Sequence, residues 1–445
     1  MAVKVKSLEW SMSNFSSLRD IDRRKFLFGL TGTIGLAAAS NADAQPLSKS
    51  VLDLPHAANG GQIDENKLWA QVKTLFPLRP GLIHLNSANF APSSTAVLDT
   101  AEALSRDVNG DPSFENRFKF EASIEVVRAS LATMLGANQD EIAITRNTSE
   151  GNRTVIAGLN LGSQDEVVIW DQNHESNNVA WDVWAARYGF KVVRVSTPHQ
   201  PEAPSDLIKP FRAALNARTK VLAFSHVSNV SGIALPAADL CRIAAKNGIL
   251  TLVDGAQTFG MMNLDLHEMG CDFFTGSAHK WLAGPHEVGV LYVRASRIEQ
   301  LWPSMVTHNW EKMSRAGARK FECLGQRQDS RIDALKVAVD LHNTLGHERV
   351  EERIRFLAAY VRTAIAALGK VDFITPFQPE MSAGIVMFML NTENPRSVME
   401  TFYNKYNISA VAYPVNGKSA VRFSPNIYVT TDELDVAVKA VSSLL

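Results

Sequence analysis

The chain has 445 residues, too many for one small hydrophobic core, so a large domain with a smaller companion is expected. Hydrophobic residues make up 46% and charged residues 20%, ordinary for a globular protein, and a formal net charge of −1 gives no electrostatic reason to expect nucleic acid or an anionic membrane as partner. The three cysteines, Cys241, Cys271 and Cys323, form no CxxC pattern and argue against a disulfide framework or a structural zinc.

The first 44 residues read as a leader. Arg23 and Arg24 precede the uncharged stretch FLFGLTGTIGLAAAS and the small-residue site Ala42-Asp43-Ala44. Paired arginines, a glycine-containing apolar segment too short to span a bilayer, and a small-x-small site together predict a twin-arginine export signal. The expected partner is the twin-arginine export machinery and the expected location the periplasm, with a mature chain starting at Gln45. An oxidising destination suits so few cysteines.

A polar linker is expected over residues 45–62, a large domain with the N-terminal segment over 63–300, and a small C-terminal domain over 301–445. Within the large domain, short β-rich runs alternate with helical patterns: EIAITRN, EVVIWDQ, KVVRVS, KVLAFSHV, ILTLVDGA, DFFTGSA and VGVLYVR. Several are apolar throughout, as strands covered on both faces are, which predicts an α/β fold with an open, mostly parallel, seven-stranded sheet. After residue 300 a long helical region, about 327 to 368, precedes GIVMFML, ISAVAYP and SAVRFSP, the strand candidates of a small α+β domain.

Ligands of open α/β sheets sit beyond the carboxyl ends of the strands. Five of the seven runs end in polar, chemically capable residues: Asn147 to Gly151, Asn173 to Asn177, Ser225 to Asn229, Asp254 to Gln257, and Ser277 to Lys280. A strand-end carboxylate, Asp254, followed by a strand-end amine, Lys280, is what pyridoxal 5'-phosphate requires: one group to hold its pyridine nitrogen and one to form an imine. Thr148 and Ser149 stand at a strand-to-helix turn, where free N–H groups and hydroxyls suit a phosphate.

The stretches TRNTSEG, SHVSNVSGIALP, LVDGAQTFG, DFFTGSAHKWLAGP and VRFSPNIY resemble the class V aminotransferase family of fold type I pyridoxal phosphate enzymes, with the pattern of its isopenicillin N epimerase-like branch, over roughly residues 80 to 435. The resemblance implies a homodimer with a small amino substrate. It implies that Lys280 forms the imine and then acts as general base, that Asp254 pairs with the pyridine nitrogen, and that Gln257 donates to the phenolic oxygen. It further implies that His174 stacks on the ring, that Thr148, Ser149, Ser277 and His279 surround the phosphate, and that Arg422 clamps the substrate carboxylate. Three positions depart from the family pattern. Glu287 stands where glycine is usual, so a different backbone is expected there; Gly325-Gln326 replaces a Gly-Thr that reaches the partner's phosphate; and Asn86, which with Arg422 is expected to bind the substrate, replaces Asp.

Family members that remove sulfur from cysteine carry a nucleophilic cysteine on the loop before the carboxylate arginine. The stretch YNISAVAYPVNGKSAVRF contains none. The expected activity is therefore at the amino-bearing carbon of an amino acid or peptide-linked amine, of aminotransferase or epimerase type, tailoring a secreted metabolite. A decarboxylating or lyase-type tailoring enzyme is the alternative within the class. A non-catalytic ligand-binding homologue is the alternative outside it.

Overall fold

The computed structural model describes residues 64–445; the leader and the linker expected over residues 1–62 lie outside them. In chain order, helix α1 (Glu65–Thr74) leads through β1 (Ile83–His84) to α2 (Thr95–Gly110) and α3 (Lys119–Met134). Strand β2 (Ile142–Thr145), α4 (Thr148–Gly158), β3 (Glu166–Trp170), α5 (Glu175–Tyr188) and β4 (Lys191–Val195) follow. Next come β5 (Thr219–Ser225), β6 (Leu250–Asp254), β7 (Phe273–Ser277) and β8 (Gly289–Val293), then α6 (Asp329–Leu345) and α7 (His347–Ala366). The chain closes with β9 (Asp372–Phe373), β10 (Val386–Leu390), β11 (Ile408–Ser409), β12 (Val411–Val415), β13 (Lys418–Phe423) and α8 (Thr431–Ser442).

The seven expected runs form a single sheet in the order β2-β8-β7-β6-β5-β3-β4. Only β8 runs against its two neighbours, β2 and β7. Alternation along each strand explains why the runs are apolar throughout. Val168, Trp170, Leu222, Phe224, Val253 and Phe274 enter one core, while Val167, Ile169, Val221, Ala223, Leu252 and Phe273 enter another on the opposite face. The outer edge of β2 is closed by side chains rather than by another strand: Ile144 N–H donates to Glu322 (2.6 Å), and Arg128 donates to Ile142 O (2.8 Å). Closing the edge this way satisfies backbone groups that would otherwise invite pairing with another chain.

One boundary shifts from expectation. The N-terminal segment, assigned by sequence to the large domain, instead shares a core with the C-terminal layer: Leu68, Trp69, Val72 and Leu85 pack with Leu357, Val361, Phe388 and Leu434. The reason is β1, whose two residues pair in parallel with β11 and draw α1 onto that side. Helix α6 joins the layers, with Leu341 and Leu345 in this core and Ile332, Leu335 and Val339 in a core of the large sheet. The long helical region is two helices, parted at Gly346.

Gly255, directly after Asp254, is required by close approach. A Cβ there would lie 2.0 Å from the Phe274 ring, which is itself fully buried. Gly255→Ala is expected to destabilise the protein by about 3 kcal/mol, the upper range for overpacking a core. Urea unfolding of the variant checks this through a lowered midpoint with an unchanged slope.

Candidate active site

The ends of β3 and β6 and strand β13 place His174, Asp254 and Arg422 in the field of Lys280. The residue follows β7 on a turn, half-buried, and no hydrogen bond contributes to its titration. Desolvation pushes its pKa down to about 8; the carboxylate of Asp254 raises it and the cation of Arg422 lowers it. The amine thus sits in the field of both charges. Its neutral fraction is expected to rise through pH 8, tenfold per unit below that point, whereas a solvated lysine titrates near 10.4. Competitive acetylation of cofactor-free protein across pH 6 to 11, with peptide mapping, checks this as a labelling midpoint about two units below the surface lysines.

Asp254 ends β6, buried to 3% exposure. Its Oδ2 accepts from Asn152 Nδ2 (2.8 Å) and Asn177 Nδ2 (3.4 Å), and its Oδ1 accepts the N–H of Ala256 (3.0 Å). These partners are neutral, so the site buries a carboxylate without giving it a cation at hydrogen-bond distance. Asn152 escaped the sequence reading, and Asn177 entered it only as a strand-end residue without a role. Each lies one turn or less inside a helix, Asn152 four residues after Thr148 and Asn177 three after His174, on the helix face that carries the strand-end residue. Asn152 is in turn fixed by Thr275, whose hydroxyl donates to its Oδ1 (2.8 Å).

At the start of α4, Thr148 and Ser277 meet. Ser277 Oγ accepts the Thr148 N–H and lies 2.8 Å from its hydroxyl. Asn147 caps the helix by accepting the Glu150 N–H at 3.0 Å. Between them, the N–H and hydroxyl of the exposed Ser149 have no partner among the described residues. A helix N-terminus with spare donors and adjacent hydroxyls is an anion site in waiting. His279 stands on the same β7 turn, its pKa pushed down to about 4 by desolvation and then by Lys280 and His286, so it is a neutral N–H donor near neutral pH.

His174 forms the N-cap of α5, its Nδ1 accepting the Ser176 N–H at 3.3 Å and lying 2.8 Å from the Ser176 hydroxyl. Desolvation and the charge of Lys280 lower its pKa, which keeps the ring an uncharged aromatic surface. Gln257 is more committed than expected. Its amide donates to Ala88 O (2.9 Å) and its carbonyl accepts from Trp281 Nε1 (2.8 Å), leaving one N–H to offer a ligand.

Arg422, on β13, is buried to 2% exposure. One terminal nitrogen donates to Asn229 O (3.0 Å) and the other to Asn86 Oδ1 (2.9 Å), so the two residues assigned to substrate binding are in contact. Its Nε has no partner. A buried guanidinium held by neutral oxygens, with a spare N–H, lacks the anion that such a charge demands. Glu287 takes up the backbone that glycine would have, with φ of 56°, and its carboxylate pairs with Arg331 at 2.6 Å. Gln326 accepts from Arg117 of its own chain at 3.0 Å and borders a cavity of about 270 Å³ with Arg146, Glu150 and Glu287, separate from Lys280, Asp254 and Arg422.

These groups fit pyridoxal phosphate on the structure's own terms: spare donors at a helix start for the phosphate, a buried and unpaired carboxylate for the ring nitrogen, and an unbonded amine beside both. Fold and constellation together define a fold type I pyridoxal phosphate-dependent enzyme. The Aminotransferase class-V family model matches residues 83–436, and the chain belongs to that family. Isopenicillin N epimerase of Streptomyces clavuligerus is 28% identical over 390 residues, spanning 84% of this chain and 98% of the epimerase. A cysteine desulfurase of Klebsiella pneumoniae is 30% identical over 340 residues, spanning 71% of this chain and 80% of that protein. Among solved structures, a mutant of C-DES with glycine covalently linked to its PLP cofactor shares the fold with a TM-score of 0.76 at 20% identity, over 84% of this chain and 99% of that one.

Proposed function

We propose that the protein acts at the amino-bearing carbon of an amino acid or peptide-linked amine, with epimerase or aminotransferase chemistry. The observation that carries this reading is the placement of one amine without a hydrogen bond, Lys280, in the joint field of Asp254 and Arg422. Pyridoxal phosphate, when bound, supplies a sink for the electron pair left as a bond to that carbon breaks. The rest is done by the chain. Thr148, Ser149, Ser277 and His279 hold the phosphate end, while Asp254, locked by Asn152, Asn177 and the Ala256 N–H, fixes the ring end. Arg422 grips the substrate carboxylate with two parallel N–H groups, which sets which bond of the amino-bearing carbon is aligned for cleavage. Lys280 Nζ takes the proton and returns it, to either side or to another carbon, and that choice separates the two reactions.

Sulfur removal is the reading that the second group of relatives suggests, and the cysteines oppose it. Cys241, Cys271 and Cys323 are all buried. Burial pushes the Cys241 thiol up to about 12 and raises those of Cys271 and Cys323, whereas a sulfur acceptor must be an accessible thiolate. The segment before Arg422 is a tight β12–β13 hairpin, not a loop.

The proposal includes a homodimer, export through the paired arginines of the leader, and tailoring of a secreted amine-containing product. Export of an already folded chain suits an enzyme that collects its cofactor in the cytosol. Chiral chromatography of an amino-acid panel, run with and without an added 2-keto acid, tests the reaction type. Inversion without the keto acid supports epimerisation, keto-acid-dependent loss of the amine supports transamination, and sulfide release from cysteine alone overturns both.

A further inference from the structure

Three segments that touch Arg422 each carry an exposed side chain with apolar surface. Tyr413, 38% exposed, puts its ring 5.6 Å from the guanidinium carbon. Val230, 49% exposed, follows Asn229, whose carbonyl accepts from Arg422. Phe90, 41% exposed, donates its backbone N–H to the carbonyl of Asn86, the residue whose side chain holds the other terminal nitrogen of Arg422.

Each is mounted rigidly. Tyr413 sits opposite Ala420 in a hairpin whose register places Val411 opposite Arg422, so Tyr413 and Arg422 share one face as diagonal neighbours. The two-residue turn, Asn416-Gly417, has φ of 48° and 72°, the positive values of a type I′ turn that matches strand twist and fixes register. The Val230 turn is pinned by buried Ser228, whose hydroxyl accepts the N–H groups of Val230 (3.1 Å) and Ser231 (3.3 Å) and donates to Gln172 O. The Phe90 ring stands edge-on to His286 at 4.4 Å.

We infer that Tyr413 is a specificity-determining residue of the carboxylate site, and that the collar it forms with Val230 of the turn that Arg422 binds selects substrates with an apolar or aromatic group beside the carboxylate. The inference rests on the reading of Arg422 as the carboxylate clamp. The tyrosine ring has a second effect: lying against the guanidinium, it stabilises a buried cation that has no acidic partner. A small polar substrate would leave the collar wet, whereas an apolar side chain would cover it and gain the burial.

The test measures binding of two carboxylate probes, acetate and phenylacetate, to the cofactor-loaded enzyme by calorimetry. Wild-type protein is expected to bind phenylacetate about tenfold tighter than acetate, the order expected from partial burial of one ring. Tyr413→Ala is expected to remove most of that preference, while Tyr413→Phe, which keeps the ring, retains it. Val230→Ser provides an independent arm at a position exposed enough to leave folding intact, and it is expected to reduce the preference in part. Equal affinity of the two probes for wild type, or an unchanged preference in Tyr413→Ala, overturns the inference. Arg422→Ala keeps the two questions apart: if it leaves both probes bound as in wild type, the carboxylate-clamp reading itself fails.

Discussion

Replacing Lys280 by alanine is expected to leave a folded protein that has lost turnover by a factor on the order of 10³ or more, since one side chain serves as both covalent anchor and proton carrier. The structure makes this a clean substitution. Lys280 Nζ has no hydrogen bond to lose, and the amine's own pKa is pushed down to about 8, chiefly by desolvation. A group held in a setting that disfavours its charged form destabilises the fold at neutral pH, so its removal should raise the melting temperature, as often happens when an active-site group is deleted. Wild-type protein treated with borohydride should carry the cofactor permanently on the peptide containing Lys280. The variant should bind the cofactor reversibly through Asp254 and the phosphate donors and lose it on dialysis. Absorbance before and after reduction, with melting curves of both proteins, checks the pair of expectations. A variant that keeps a reducible chromophore would place the anchor on another lysine.

The second large effect is expected at Arg422. Arg422→Ala should raise KM for any carboxylate-bearing substrate by roughly two orders of magnitude, the range for removing one partner of a buried charged pair. Cofactor loading should not change. Because the guanidinium holds Asn86 Oδ1 and Asn229 O, its removal also leaves two half-buried acceptors without this partner, and a stability loss of about 1 kcal/mol is expected. Arg422→Lys separates these contributions. A lysine can restore charge but not the planar fork, so it should recover stability more fully than KM. Steady-state kinetics together with urea unfolding of the three proteins makes the comparison, and equal KM values would remove Arg422 from the substrate site.

Much of this arrangement was legible in the sequence because a sheet covered on both faces must be apolar at every position, and all seven such runs became strands within a few residues of their expected ends. Strand-end residues were legible for the same reason, since the polar residue that breaks an apolar run marks where the sheet meets the ligand. Side chains that reach the site from inside a helix carry no such mark. Asn152 looks like a surface asparagine in sequence, Asn177 is only one of a polar strand-end group, and the fold alone turns both onto Asp254. Pairing of β1 with β11 was equally hidden: two residues make no period, and their partner lies more than 300 positions away. It was this pairing that moved the N-terminal segment from the large layer to the small one. Glu287 teaches the converse. A missing glycine suggested a new backbone, yet Glu287 adopts φ of 56°, a region that favours glycine, at a local cost of the order of 1 kcal/mol, and its side chain finds Arg331.

If Lys280 and Arg422 together direct chemistry to the amino-bearing carbon, hydrogen exchange at that carbon in heavy water reports it without assuming the final product. Cofactor-loaded enzyme incubated with a panel of amino acids, apolar and aromatic ones included, should catalyse deuterium incorporation at the amino-bearing carbon of at least one member, followed by proton NMR. Lys280→Ala should abolish the exchange and Arg422→Ala should slow it by about the factor lost in kcat/KM. Absence of exchange across the panel, with sulfide released from cysteine by the same preparation, would contradict the claim and assign the protein to the sulfur-removing side of its family.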